Sequence, residues 1–166
     1  MNRTSIGITE ASKVKPLPQT HRVEDCACLQ LRMASRAVTR LFDKIIEPSG
    51  LKATQFSFLA AIDEAGEATV GGLAAHLVMD SSTVARNLKP LEKAGLIAVR
   101  AAEDRRYRIV RLTRKGVIKL AEAMPFWCQA HETLEGLVGS ETISANSQNL
   151  RQFVDSIAAR PRDGEG

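Results

Sequence analysis

From Glu24 onward apolar residues recur at helical spacing. Leu31, Ala34, Val38, Leu41 and Ile45 form a stripe that Pro48-Ser49-Gly50 ends. A second helix is predicted from about Thr54 to Glu64, burying Phe56, Leu59 and Ile62, with Gly66 behind it. Thr69 to Leu77 reads as a short third helix that carries Leu73 and Leu77 despite Gly71-Gly72. Asp80 is a strong N-cap for a fourth helix facing Val84, Leu88 and Leu91 inward, and Gly95 stands at its C′ position. Pro90 within that helix removes one backbone donor. Leu96–Arg100 then reads as a strand, Ala101–Arg106 as a charged turn, and Tyr107–Leu112 as a return strand with Arg108, Val110 and Leu112 on one face. After Thr113 the positions Val117, Leu120, Met124, Trp127, His131, Leu134 and Val138 predict a long helix with an inward stripe, kinked at Pro125. Gly139-Ser140 breaks it before a last helix with Leu150, Phe153, Val154 and Ile157.

A short helix, a tight turn and a second capped helix make a helix-turn-helix, and the basic hairpin behind it makes a wing. The expected fold is therefore mainly α with a small β-hairpin wing, a winged helix-turn-helix flanked by N- and C-terminal dimerisation helices. The boundaries follow the pattern: an arm over 1–22 without periodicity, a dimerisation helix over 23–50, a DNA-binding domain over 51–115, dimerisation helices over 116–160 and a tail over 161–166. Amphipathic helices beyond a DNA-binding core of about sixty residues need a surface to cover, and a homodimer supplies one.

Charge sharpens this picture. The 166-residue chain is +4 overall, yet residues 80–115 hold ten Lys/Arg against four Asp/Glu. That window is +6, and the remaining 13 basic and 15 acidic residues leave −2. Such a patch attracts phosphate backbones. On the fourth helix Ser81, Ser82, Thr83, Arg86, Asn87 and Lys89 lie at its start and outer face. Arg can pair with guanine and Asn with adenine through two hydrogen bonds, while Ser and Thr hold phosphates at a helix start. The wing tip adds Arg105 and Arg106, guanidinium groups slim enough for a minor groove. Double-stranded DNA is the expected partner.

Composition excludes several classes. The longest uncharged stretch is too short for a membrane span, and the first twenty residues lack the apolar run of a signal peptide. No membrane partner is expected. Cys26, Cys28 and Cys128 give neither a disulfide framework nor metal-ligand spacing. A cytoplasmic protein with no metal and no cofactor fits. No Gly-rich phosphate loop or nucleophile constellation suggests an enzyme.

The stretches Leu73-Ala74-x-x-Leu77, Ser82-Thr83-Val84-x-Arg86-x-Leu88-x-x-Leu91-Glu92-x-x-Gly95-Leu96-Ile97 and Asp104-x-Arg106 followed by Val110-x-Leu112-Thr113-x-x-Gly116 resemble the MarR family of winged-helix transcriptional regulators. The resemblance spans roughly residues 24–140. It implies an obligate homodimer that binds a palindromic operator as a repressor, with Asp104 bracing the wing and Arg106 reaching the minor groove. Gly71-Gly72 departs from the pattern.

The resemblance also implies a switch by a small aromatic acid or by oxidation. A pocket for an aromatic acid would draw on Arg32, Met33, Arg36, Phe126, Trp127 and His131, with an arginine for the carboxylate. Trp127 serves equally as dimer core, and His131 and His76 as packing or surface residues. The oxidation alternative rests on Cys28, placed like the reactive thiol of organic-hydroperoxide sensors, at a helix start that favours thiolate. The tyrosines of that branch are replaced here by Arg32 and Phe42, and Cys26 and Cys28 are otherwise small helix residues. A third alternative is a winged helix acting as a protein-interaction module.

Overall fold

The computed structural model describes residues 22–102, 104 and 107–158. The expected arm (all but its last residue), the tail and the wing-tip residues Arg105 and Arg106 lie outside them. The chain divides into a unit through Arg36 and a unit from Ala37 onward.

In the first unit a 3-10 turn, Val23–Asp25, leads into helix α1 (Ala27–Ile46), which continues into the second unit. The carbonyl of Cys26 accepts from the Gln30 N–H at 3.0 Å, the opening bond of the helix. Leu31 and Ala34, expected to face a core, are exposed in the single chain.

In the second unit the C-terminal end of α1 buries Phe42 and Ile46, while Val38 of the predicted stripe stays 37% exposed. The inward face is thus shifted from the predicted one. A 3-10 turn over Glu47–Ser49 ends in left-handed Gly50. Helix α2 (Ala53–Ala65) buries Phe56, Phe58, Leu59 and Ile62. Its first amide, Ala53 N–H, donates at 2.7 Å to Asp43 of α1, which gives α2 a cap from the preceding helix.

Glu67–Thr69 is a strand, β1, where the sequence pattern suggested only the approach to a helix. Three residues are too few to carry a readable periodicity. Helix α3 (Val70–His76) follows directly, capped by Thr69, and α4 (Ser81–Lys93) starts at Asp80. The turn between them places Val78 at φ 52°, a left-handed conformation rare for a β-branched residue. α4 runs through Pro90 and buries Val84, Leu88 and Leu91.

Strands β2 (Ile97–Ala101) and β3 (Arg108–Leu112) form the hairpin. β3 lies in the middle of an antiparallel sheet of order β1-β3-β2, with Ala68 and Val99 both opposite Val110, which is fully buried. Arg100 and Glu67 pair at 3.1 Å from the two outer strands.

Helix α5 (Arg114–Val138) is continuous through Pro125. Its buried residues are Gly116, Leu120, Ala123 and Ala130; Val117, Met124 and Val138, expected to point inward, are 40–50% exposed. The hydrophobic pattern marked both faces of the helix, and the small Ala and Gly positions select the one that packs. Helix α6 (Ser140–Ala158) has no buried residue, and Leu150, Phe153, Val154 and Ile157 are 40–56% exposed.

Candidate nucleic-acid interface

α4 is held by one face and presents the other. Val84, Leu88 and Leu91 pack into the core, while Ser81, Ser82, Arg86 and Lys89 are exposed and Thr83 and Asn87 are half-buried. The presented residues are organised by Asp80. Its Oδ1 accepts from the Ser82 hydroxyl at 2.6 Å and from Thr83 N–H at 2.8 Å, and its Oδ2 accepts from the Thr83 hydroxyl at 2.6 Å. Those bonds, the Ser82 hydroxyl first, hold the Asp80 carboxyl well below the usual carboxylate range. Thr83 Oγ1 in turn accepts from Arg86 Nη2 at 2.9 Å. Asn87 Nδ2 donates to the Thr83 carbonyl at 2.9 Å. Asp80, Thr83 and Arg86 therefore form one hydrogen-bonded file that orients the guanidinium.

The sequence treated Asp80 as a cap alone. Its second task has a readable signal: a carboxylate followed at two and three residues by hydroxyls can accept from both. The same bonds occupy the hydroxyl protons of Ser82 and Thr83, so a phosphate contact through either requires its rotor to turn from Asp80.

The C-terminal end of α4 is joined to α5. Thr113 N–H donates to the Leu96 carbonyl at 3.0 Å, and its hydroxyl donates to the Gly95 carbonyl at 2.7 Å. Lys115 Nζ reaches the Ala94 carbonyl at 2.8 Å. In the wing, Tyr107 N–H donates to the Asp104 carbonyl at 2.9 Å and Ala102 N–H to the Tyr107 carbonyl at 3.0 Å, closing the turn. Arg105 and Arg106 lie outside the described residues.

The expected effector residues fall in both units. Arg32 and Arg36 line a shallow surface recess with Leu31 and Ser35, and Met33 is half exposed. In the second unit Trp127 stacks on Phe56 with centroids 5.8 Å apart and tilts on His131 at 4.1 Å, and His131 meets the edge of Phe42 at 5.0 Å. Phe126 and Trp127 pack against the core. Cys28 is exposed in the first turn of α1, and Cys26 and Cys128 are exposed as well.

A family model described as the MarR family matches residues 49–106, from the turn after α1 through the wing. The transcriptional regulator MosR of M. tuberculosis, solved in complex with DNA, is 34% identical, and the match covers 80% of this chain and 98% of that one with a TM-score of 0.70. The chain belongs to the MarR family. It is a DNA-binding transcriptional regulator with a winged helix, and that family reading places it among regulators and not enzymes. A second structure describes a mechanism for regulation of DNA binding of Bordetella bronchiseptica BpsR by 6-hydroxynicotinic acid; it is 26% identical, the match covers 81% of this chain and 98% of that one, and the TM-score is 0.71. The organic hydroperoxide resistance transcriptional regulator of Bacillus subtilis is 28% identical over 104 residues, which is 62% of this chain and 71% of that protein. Among the described residues no helix is long and apolar enough to cross a membrane.

Proposed function

We propose that the protein is a homodimeric repressor that binds a palindromic operator and is released by a small aromatic acid. The observation that carries the DNA reading is the presented face of α4, where Ser81, Ser82, Arg86 and Lys89 stand opposite a buried apolar face. α4 enters the major groove; Arg86 and Asn87 face base edges, and Ser81, Ser82, Thr83 and Lys89 face the backbone. Arg105 and Arg106 reach the minor groove from a wing braced by Asp104.

The dimer reading is supported by α6, whose Leu150, Phe153, Val154 and Ile157 stay 40–56% exposed, and by the exposed Leu137 and Val138 at the end of α5. Exposed apolar stripes on successive helices mark an association surface. Two copies present two α4 helices to major grooves one turn apart. An aromatic acid that favours another spacing of the helices lowers affinity by shifting the population. The regulation of BpsR supports that chemistry.

A second reading is favoured by one observation, the exposure of Cys28 in the first turn of α1. An organic hydroperoxide transfers its terminal oxygen to the Cys28 sulfur, giving the sulfenic acid and the corresponding alcohol.

The test is anisotropy titration of the reduced protein against its own upstream DNA with excess unrelated competitor. Binding that survives competitor, and that weakens by ~1–3 kcal/mol in Arg86→Ala, is the expected result. Binding equal on all sequences refutes operator recognition and points to a protein-interaction module. Relief by aromatic acids in a Cys28→Ser variant assigns the switch to a ligand; relief only by hydroperoxide, lost in that variant, assigns it to the thiol.

A further inference from the structure

The two α4 residues expected to face base edges share one anchor. Thr83 Oγ1 accepts from Arg86 Nη2 at 2.9 Å, and the Thr83 carbonyl accepts from Asn87 Nδ2, also at 2.9 Å. Thr83 is half-buried, while Arg86 is exposed. The direction of the hydroxyl is set from behind: it donates its single proton to Asp80 Oδ2 at 2.6 Å and so turns a lone pair to the guanidinium. Asp80 is itself held, with Oδ1 accepting from Thr83 N–H at 2.8 Å and from the Ser82 hydroxyl at 2.6 Å.

We propose that Thr83 is a positioning residue for operator discrimination, holding Arg86 in its reading pose through a hydroxyl that Asp80 orients. The inference rests on the DNA reading above and gives Thr83 a part in base choice that requires no contact of its own with a base. A free arginine keeps many rotamers and gives them up when its fork pairs with guanine. Arg86 surrenders part of that freedom before DNA arrives. The bond occupies one guanidinium N–H, and the rest still supply the parallel pair that guanine O6 and N7 accept. A groove that excludes water strengthens the bond, because the local dielectric falls. Unrelated duplex is held through its phosphates, which a cation reaches from many rotamers, so it draws nothing from this order.

Thr83→Val in the full chain keeps the β-branch, the carbonyl and the backbone N–H and removes the hydroxyl. Anisotropy against the protein's own upstream DNA should show a loss of roughly two- to twelve-fold, the cost of immobilising one such side chain. Affinity for an unrelated duplex of the same length, and the salt slope on both, stay at their wild-type values. Thr83→Ser restores binding to the upstream DNA. In an Arg86→Ala background Thr83→Val changes nothing further, which general damage to the helix would not allow.

An equal loss on both duplexes makes the Thr83 hydroxyl a phosphate contact and overturns the proposal. So does a Thr83→Val protein that matches wild type, or one whose loss persists beside Arg86→Ala. If Thr83→Val fails to fold, Asp80→Asn decides the matter. Asparagine still caps the helix through its carbonyl, and its amide then faces the Thr83 hydroxyl as a donor. The ratio of upstream to unrelated affinity should fall in that variant, and a ratio equal to wild type overturns the proposal. Wild-type protein that binds both duplexes equally overturns the DNA reading itself, before any variant is compared.

Discussion

Replacing Gly116 with alanine tests the joint between the recognition helix and α5. Gly116 sits in the first turn of α5 and is buried. A Cβ built there would lie 2.0 Å from the Leu96 carbonyl oxygen and 3.0 Å from its carbon. Backbone cannot rotate away as a side chain can, so the helix start and the start of β2 must part by about 1 Å. Overpacking of this kind costs ~1–3 kcal/mol. The movement also stretches the bonds from Thr113 to the Leu96 and Gly95 carbonyls, now 3.0 and 2.7 Å, at ~1 kcal/mol each. Alanine returns ~1 kcal/mol through its better helix propensity. The net expectation is a loss of about 3 kcal/mol, equivalent to roughly 6–12 °C in Tm for a chain of this size. Gly136 supplies the control: it lies in the same helix, and a Cβ there meets nothing within 4 Å. Gly136→Ala should gain ~0.5–1 kcal/mol. Urea and thermal unfolding at one fixed protein concentration read both variants, because association would otherwise shift the midpoint. A Gly116→Ala protein as stable as wild type refutes the close approach.

Val78→Gly removes a Cβ from a left-handed turn; with ~1–2 kcal/mol of strain relieved and ~0.5–1 kcal/mol lost to unfolded-state entropy, Tm should rise by a few degrees, and a fall contradicts the turn geometry. For Asp80, the folded carboxyl is more acidic than the unfolded one, so its contribution is complete above the unfolded value and disappears as pH falls toward the folded one. The stability gap between wild type and Asp80→Asn, followed by urea midpoints, should be constant from about pH 5 to 7 and narrow below about pH 4; a gap that widens on acidification reverses the assignment. Phe153→Glu on the exposed face of α6 should halve the solution mass measured by light scattering while leaving the helical circular dichroism in place. An unchanged mass removes that face from the dimer.

Much of the DNA-binding lobe was legible because its signals are local. Asp80, Thr113, Gly95 and the alternation in β3 each identify their element through caps, turns or strand periodicity. The flanking helices were less so. In α5 the eye follows Val117, Met124 and Val138, yet the packed face runs through Gly116, Leu120, Ala123 and Ala130. Large apolar residues mark where burial is wanted, and a chain that associates wants it on more than one face. β1 was missed because three residues owe their conformation to pairing with β3 and not to their own pattern.

The joint at Thr113 and Gly116 makes α5 a lever. Hydrogen bonds from Thr113 and Lys115 and one contact without room for a methyl group tie its start to the Ala94–Leu96 turn that follows α4. The 25-residue helix is about 37 Å long. A tilt of about 5° about its far end swings the joined recognition helix by ~3 Å, comparable to a whole hydrogen-bond length. In the mechanism proposed above, a small angular change of α5 is enough to carry the α4 contacts to DNA out of reach together.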